Sequence, residues 1–426
     1  MIRRIQVLNY RCLRHLDVEL GGRTLVTGPV GGGKSTLIGA LGFLRDLVRQ
    51  GPRVAVARRA DDLRDLVWGR PDEDPGFELA VEFELPEQSR DHLPSGSAFG
   101  VYRYEVALRG DGDGVSIHTE RGILSPVREA PDIVQPSLFP DMPEPPRTIL
   151  ASSRPGSRTV LSKTPGGTDR FYRERDPEKG WVTEIALGPS RSALGTLPDS
   201  PAIRPVTTAI KRMLETGVIR IRPDVRAMRR PSPPGQPERV LLEGASNLPW
   251  VVSRLRRESA KRFATWLSLL RAAVPGLEDI HVARREADRY GYLVLRFSGD
   301  LEAPSWIVSD GTLHLLAFTV SPFLSSADRV FLIDDPERAL PASGLPAFHE
   351  AFSATGSQLL ASTSSPELLD LFSPKEVLSL ARREDGVIGI ASSGAADESG
   401  TGDESGAGGA AEADASAGRS ATSDEP

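Results

Sequence analysis

Nine residues at 28–36, Gly-Pro-Val-Gly-Gly-Gly-Lys-Ser-Thr, constrain this chain more than any other stretch. They follow a short apolar segment, 24–27, that reads as a strand. They lead into 37–48, where apolar residues return at helical spacing (Leu37, Ala40, Leu41, Leu44, Leu47, Val48). Gly28, Gly33, Lys34 and Ser35 occupy the fixed places of the phosphate-loop pattern, with Pro29, Val30, Gly31 and Gly32 between them and Thr36 just after. Each place has a physical reason. Glycine lets the backbone take positive φ and come close to a phosphate. The inward-facing N–H groups lie at the positive end of the following helix. Lys34 supplies a mobile positive charge, and Ser35 offers a hydroxyl to Mg²⁺. A strand, this loop and a helix in succession therefore predict an α/β fold that binds a nucleotide, with ATP and Mg²⁺ as cofactors.

The chain has 426 residues, of which 39% are apolar, ample for a core. Its one cysteine, Cys12, excludes a disulfide framework and a cysteine zinc site. The opening Met-Ile-Arg-Arg is not that of a signal peptide. No apolar run reaches the roughly 18 residues that a membrane helix requires. The expectation is a cytoplasmic protein with no membrane partner. Its net charge of −6 is concentrated in residues 391–426, a Gly/Ala/Ser stretch of net −7. That tail has no core-forming residues and reads as disordered.

Along the chain, residues 2–9, 16–20, 77–85 and 101–108 read as strands, and a Gly-Asp-Gly-Asp-Gly turn at 110–114 leads to a further one. Residues 124–170 are rich in proline and hold no sustained period, which predicts an insertion, with a hairpin over 171–187. Helices are expected at 203–214 and through 247–274, and strands at 280–287 and 293–297. The resulting division is an amino-terminal lobe over 1–123, an insertion over 124–200, a carboxy-terminal lobe over 201–390 and the tail.

Two further signals narrow the chemistry. Residues 330–333 are a continuous apolar run of the buried parallel-strand kind, ending in Asp334 and Asp335. This has the form of a Walker B strand. Asp334 is expected to hold Mg²⁺ opposite Ser35, with Asp335 where a general base would polarise the attacking water. Upstream, Ser309-Asp310-Gly311-Thr312 opens an apolar helix over 313–323. A hydroxyl and free N–H groups at a helix start form a second anion site. It is redundant within one chain and useful if two copies sandwich ATP, each offering this turn to the other's nucleotide.

Taken in this order, the motifs resemble the stand-alone ABC-type ATPase heads of the RecF/SMC-like group, often labelled AAA-family ATPases. The matching residues are Ile-Gln-Val-Leu-Asn-Tyr-Arg at 5–11, the loop at 28–36, Gly-Ala-Ser-Asn-Leu at 244–248, Ser-Asp-Gly-Thr-Leu at 309–313 in the place of the signature, Phe-Leu-Ile-Asp-Asp-Pro-Glu at 331–337 and Thr-Ser-Ser-Pro-Glu-Leu-Leu-Asp at 363–370 in the place of the switch. The resemblance covers roughly 1–110 and 200–390. It implies a mixed central sheet with helices plus an antiparallel side sheet, and heads that dimerise around Mg-ATP. It also implies that Arg11 contacts the nucleotide, and that Ser309 and Gly311 reach the partner's γ-phosphate. The chain departs from the pattern at three places. Asp335 stands where the usual residue is Glu, Ser364 where a histidine would meet the γ-phosphate, and Val30 where the loop usually has Asn. The first two substitutions predict tight ATP binding and slow hydrolysis. Glu337 is a weaker substitute base. No coiled coil long enough for an SMC-type tether is present, and a nuclease module of the overcoming-lysogenisation kind is not expected.

Between 204 and 262, 14 basic residues face five acidic ones. Such a stretch can neutralise DNA phosphates, can be an ordinary solvated face in an arginine-rich chain, or can dock the acidic tail. Two functions stay open: an ATPase acting on DNA in repair or defence, and an ATP-sensing scaffold that gates a separate effector protein. A transporter's nucleotide-binding subunit is a third, poorer match.

Overall fold

The computed structural model describes residues 1–85, 87–94, 97–111, 114–127, 145–151, 155–175, 181–324, 329–383 and 386–391. The expected tail, apart from Ala391, and the turn of the 171–187 hairpin lie outside them. Residues Met1–Ile390 form one compact unit.

Among the described residues, seventeen strands build three sheets. They are β1 (Ile2–Tyr10), β2 (Leu13–Glu19), β3 (Arg23–Thr27), β4 (Gly76–Glu84), β5 (Phe99–Asp111), β6 (Gly114–Pro126), β7 (Arg158–Lys163), β8 (Asp169–Tyr172), β9 (Trp181–Ile185), β10 (Val218–Ile221), β11 (Leu277–Arg284), β12 (Gly291–Phe297), β13 (Leu301–Pro304), β14 (Val330–Ile333), β15 (Gln358–Ser362), β16 (Val377–Arg382) and β17 (Ile388–Ile390). An eight-stranded antiparallel sheet runs β2-β1-β4-β5-β6-β7-β8-β9. A six-stranded sheet runs β10-β14-β15-β3-β16-β17, parallel except at the β16–β17 edge. A small antiparallel sheet, β11-β12-β13, stands apart in pairing.

Side-chain alternation explains the layering. In β14, Val330 and Leu332 enter one core while Phe331 and Ile333 enter the other, so the strand is apolar on both faces. The first core lies between the antiparallel sheet and helix α1 (Lys34–Gln50); Leu37, Leu41, Leu44 and Leu47 belong to it with Ile5, Val7 and Leu79. The second gathers the helices Leu248–Glu258, Ala260–Ala273, Asp310–Phe323 and Leu345–Ser353. β3 serves both, through Val26 and Leu25 respectively.

The structure differs from the expectations in specific ways. A boundary at 123 cuts through β6, and the strands β7–β9 of the expected insertion continue the antiparallel sheet of the amino-terminal lobe. Buried carboxylates tie this region in. Glu120 on β6 accepts hydrogen bonds from the Ser192 hydroxyl at 2.8 Å and from the N–H groups of Ala193 and Leu194 at 2.7 and 2.9 Å. Glu174 accepts from the N–H groups of Val206 and Thr207 at 2.7 and 2.9 Å, capping the helix Pro205–Arg212. The helix expected through 247–274 breaks at Ser259, whose backbone leaves the helical region (φ −149°, ψ 84°) and whose hydroxyl caps the second segment. β10 and β13 are additional short strands, each four residues long, too brief for a periodicity to register.

Candidate functional site

In a parallel sheet all carboxyl ends lie along one edge, where open α/β folds bind ligands. β3 and β14 both point to that edge, with β15 between them. The loop after β3 therefore meets the two aspartates after β14. Ser35 and Asp334, 299 residues apart, are joined by a 2.9 Å hydrogen bond from the serine hydroxyl to Oδ1.

The loop's shape follows from its glycines. Gly28 has φ +142°, and a Cβ there would lie 2.2 Å from the Leu380 carbonyl of β16. Gly33 is left-handed at φ 84° and forms the N-cap of α1, where a Cβ would press on Leu13. The helix starts at Lys34, so Lys34, Ser35 and Thr36 form its first turn, at the positive end of its dipole. The Lys34 side chain is buried, and its ammonium donates to the carbonyls of Gly28 and Pro29 at 2.7 and 3.1 Å. It is held across the mouth of its own loop. Pro29, Val30, Gly31 and Gly32 form the crown, closed by a Gly32 N–H to Pro29 carbonyl bond of 2.9 Å.

Arg11 sits in the β1–β2 turn in a left-handed conformation, φ 54°. Next to it, half-buried Cys12 lies 3.2 Å from the Thr36 hydroxyl, so this turn rests on the start of α1 and Arg11 flanks the loop.

Asp335 is also left-handed, φ 44°. Its N–H donates to the Ser362 hydroxyl at 3.0 Å, and its carboxylate pairs with Arg338 at 3.0 Å. Ser362, at the end of β15, donates to Asp334 and lies 3.2 Å from Asp335 Oδ1. Sequence reasoning passed over Ser362, which precedes the switch stretch and looks like any strand-terminal serine. Only the strand order β14-β15-β3 sets it between the two acids. Arg382, whose guanidinium is 3.5 Å from the Gly31 carbonyl, was missed for the same reason. Glu337 accepts from the Ser364 N–H at 2.8 Å, tying the acid turn to the switch.

The pair Ser35–Asp334 fits a Mg²⁺ ion. Two neighbouring oxygens on an octahedral Mg²⁺ with bonds of about 2.1 Å lie about 3 Å apart, close to the 2.9 Å found. These two residues would hold the ion, which supplies charge neutralisation to bound phosphates.

Ser309 and Gly311 stand at the start of another helix, Asp310–Phe323. Ser309 caps the helix Asp310–Phe323, accepting from the Thr312 N–H at 3.3 Å and bonding the Thr312 hydroxyl at 2.8 Å. Among the described residues no hydrogen bond or ion pair joins either of them to the phosphate loop or to Asp334 and Asp335.

Of the eleven basic residues at 220–262, several are engaged. Arg220 pairs with Glu243, Arg254 with Glu258, Arg256 with Asp279 and Arg257 with Glu238. Arg229 pairs with Asp310 and donates to the carbonyls of Trp306 and Val308. Much of this stretch is thus internal ion pairing. Among the described residues no helix is long and apolar enough to cross a membrane.

No family model matches the chain. A 41-residue stretch is 46% identical to the OLD nuclease of Thermus scotoductus; it spans 10% of this chain and 8% of that protein's length. Among solved structures, an SMC head bound to the C-winged-helix domain of ScpA aligns with a TM-score of 0.51 at 11% identity, covering 92% of this chain and 97% of that one. An SMC head with an extended coiled coil from Pyrococcus furiosus aligns at 0.47 and 12% identity, over 92% and 95%. With the parallel sheet, the phosphate loop after β3 and the acids after β14, the first of these alignments defines the fold: a P-loop NTPase of the SMC-head type.

Proposed function

We propose that this chain is an ATPase head that binds Mg-ATP between two copies and hydrolyses it slowly, acting on DNA in repair or defence. The observation that carries the reading is the Ser35–Asp334 contact at the carboxyl edge of the parallel sheet. In this reading Lys34 and the N–H groups of Gly31, Gly32 and Gly33 hold the β- and γ-phosphates. Ser35 and Asp334 hold Mg²⁺, and Asp335 orients and deprotonates the water. Arg11 flanks the nucleotide, and Ser309 and Gly311 meet the γ-phosphate of the other copy.

A second reading, an ATP-sensing scaffold that gates a separate effector, is favoured by a specific observation. The Asp335 carboxylate is occupied by Arg338 at 3.0 Å and neighboured by Ser362 at 3.2 Å. A base so paired has less free lone-pair density for water, and it is one methylene shorter than glutamate.

Steady-state turnover of ATP with Mg²⁺, with and without duplex DNA, tests both. DNA-stimulated turnover that disappears in Lys34→Ala and Asp335→Asn supports the first. ATP binding that weakens about 10- to 100-fold in Lys34→Ala, through loss of charge-assisted hydrogen bonds, with negligible turnover whatever is added, supports the second. Retained binding in Lys34→Ala overturns both.

A further inference from the structure

Two loops of this head hold apolar side chains out into solvent. Ahead of the signature helix, Trp306 is 45% and Ile307 63% exposed. In the phosphate loop, Val30 is 91% exposed. Burying a side chain of this size stabilises by about 1.5–3 kcal/mol, so a lone head gains nothing from this arrangement.

Neither loop is loose. Arg229 donates to the carbonyls of Trp306 and Val308 at 2.8 and 2.9 Å and pairs with Asp310, a staple across the turn. The Ile307 N–H bonds the Pro304 carbonyl at 3.0 Å, and the Trp306 ring packs 4.9 Å from Tyr292. Val30 sits in the crown closed by the Gly32–Pro29 bond. Pre-organised apolar groups that need no reordering are what an interface uses. Beside the staple, exposed Arg226 and Arg230 have no side-chain partner among the described residues. They add positive charge to the surface that would meet the triphosphate-bearing loop of a second copy.

We propose that Val30 of one copy packs against Trp306 and Ile307 of a second copy, an apolar contact that closes each side of the nucleotide. Two-fold symmetry makes the contact twice, since each copy carries both halves. The proposal rests on the ATP-sandwich reading and names the residues that lock it. It also gives Val30 a reason to stand where the resembled heads have asparagine: water would favour the polar residue, and an apolar partner favours valine.

The test uses the full chain with Cys12→Ser, which removes the only cysteine, and adds Val30→Cys and Ile307→Cys together. With Mg²⁺ and a non-hydrolysable ATP analogue, mild oxidation is expected to give a disulfide-linked dimer on a non-reducing gel. Each single cysteine, and the double variant without nucleotide, is expected to give none. Light scattering on the unmodified protein separates the two ways of failing. If it stays monomeric with saturating analogue, the sandwich reading falls and this contact with it. If it dimerises and the double variant does not cross-link, the dimer stands and this contact is wrong. Ile307→Asp provides an independent check: the dimer's Kd should rise at least about tenfold, while fluorescent ATP-analogue binding to the monomer stays within about twofold. An unchanged dimer Kd overturns the proposal.

Discussion

The phosphate loop and the signature loop both open a helix, yet they are built on opposite terms. The phosphate loop is finished within its own chain. Gly28 fits under the Leu380 carbonyl, Gly33 turns left-handed onto α1, Lys34 bonds back to Gly28 and Pro29, and Ser35 reaches Asp334. The helix behind it is buried along most of its length. The signature loop makes no such closure. Among the described residues Ser309 bonds within its own turn, and Trp306 and Ile307 remain exposed above the Arg229 staple. One loop is shaped by the fold and the other is offered by it. In the proposed reading, such a site binds nucleotide as a single copy and is completed by a second.

The comparison breaks first at α1. Asp46 on α1 is 2% exposed and faces Arg45, Arg58 and Arg59, each at 2.9 Å. Asp46→Asn removes the nearest carboxylate from all three, leaving Arg45 with only Glu243 at 3.9 Å and Arg58 half-exposed to water; it is expected to cost about 3 kcal/mol, the low end for a broken buried pair, read as a shift in the urea midpoint at constant slope. The pH dependence has a definite sign. Burial alone pushes the Asp46 carboxyl up, but Arg45 and Arg59 outweigh it and the net is a folded-state pKa below the ordinary value. Such a group stabilises the fold above its unfolded pKa of about 4 and loses that contribution as the pH falls through the folded one. The wild-type Tm should therefore drop on acidification below about pH 4, and Asp46→Asn should flatten that drop. A variant as stable as wild type would mean that α1 is not the rigid base of the loop.

Gly28→Ala comes next. A Cβ 2.2 Å from a main-chain carbonyl cannot be relieved by moving a side chain. The expected cost is about 2–3 kcal/mol, with nucleotide binding reduced in the protein that still folds. The signature side should respond differently. Arg229→Ala should leave the urea midpoint within about 1 kcal/mol of wild type and speed amide exchange through 305–310. If that exchange is unchanged, the staple is not what orders this turn. The smallest effect is expected at Ser362, which bridges the two acids from β15. Ser362→Ala should raise the Mg²⁺ concentration for half-maximal turnover about tenfold, at the low end for an outer-shell partner. An unchanged Mg²⁺ requirement would make Ser362 merely structural.

Much of this was legible before any coordinates. The loop at 28–36, the apolar run of β14 and the serine cap at 309 each carry a local reason for their residue types, so each reads from a window of a few residues. The antiparallel strands β1, β4 and β5 alternate in sequence with period two, although β4 and β5 are buried on both faces, Glu78, Arg103 and Glu105 included. What escaped were features without a local signature. The four-residue strands β10 and β13 are shorter than a period can reveal. Residues 158–185 fell within the expected insertion because 124–170 are rich in proline and hold no sustained period, whereas the place of β7 in the eight-stranded sheet is set by pairing with β6. The 247–274 helix looked continuous because arginine and apolar residues kept helical spacing through Ser259, where the backbone leaves the helical region.

The sequence by itself determined that this chain would hold a glycine-rich turn of the phosphate-loop pattern between a strand and a helix, and a buried strand ending in two acids. Glycine, lysine and aspartate at those spacings have few other uses. Only the tertiary structure decided that β15 separates β3 from β14, that Ser362 therefore stands between Asp334 and Asp335, and that Arg338 holds Asp335. The physical reason is range. Backbone conformation and periodicity act over a handful of residues, whereas strand order joins segments 299 residues apart, through burial that no local window records.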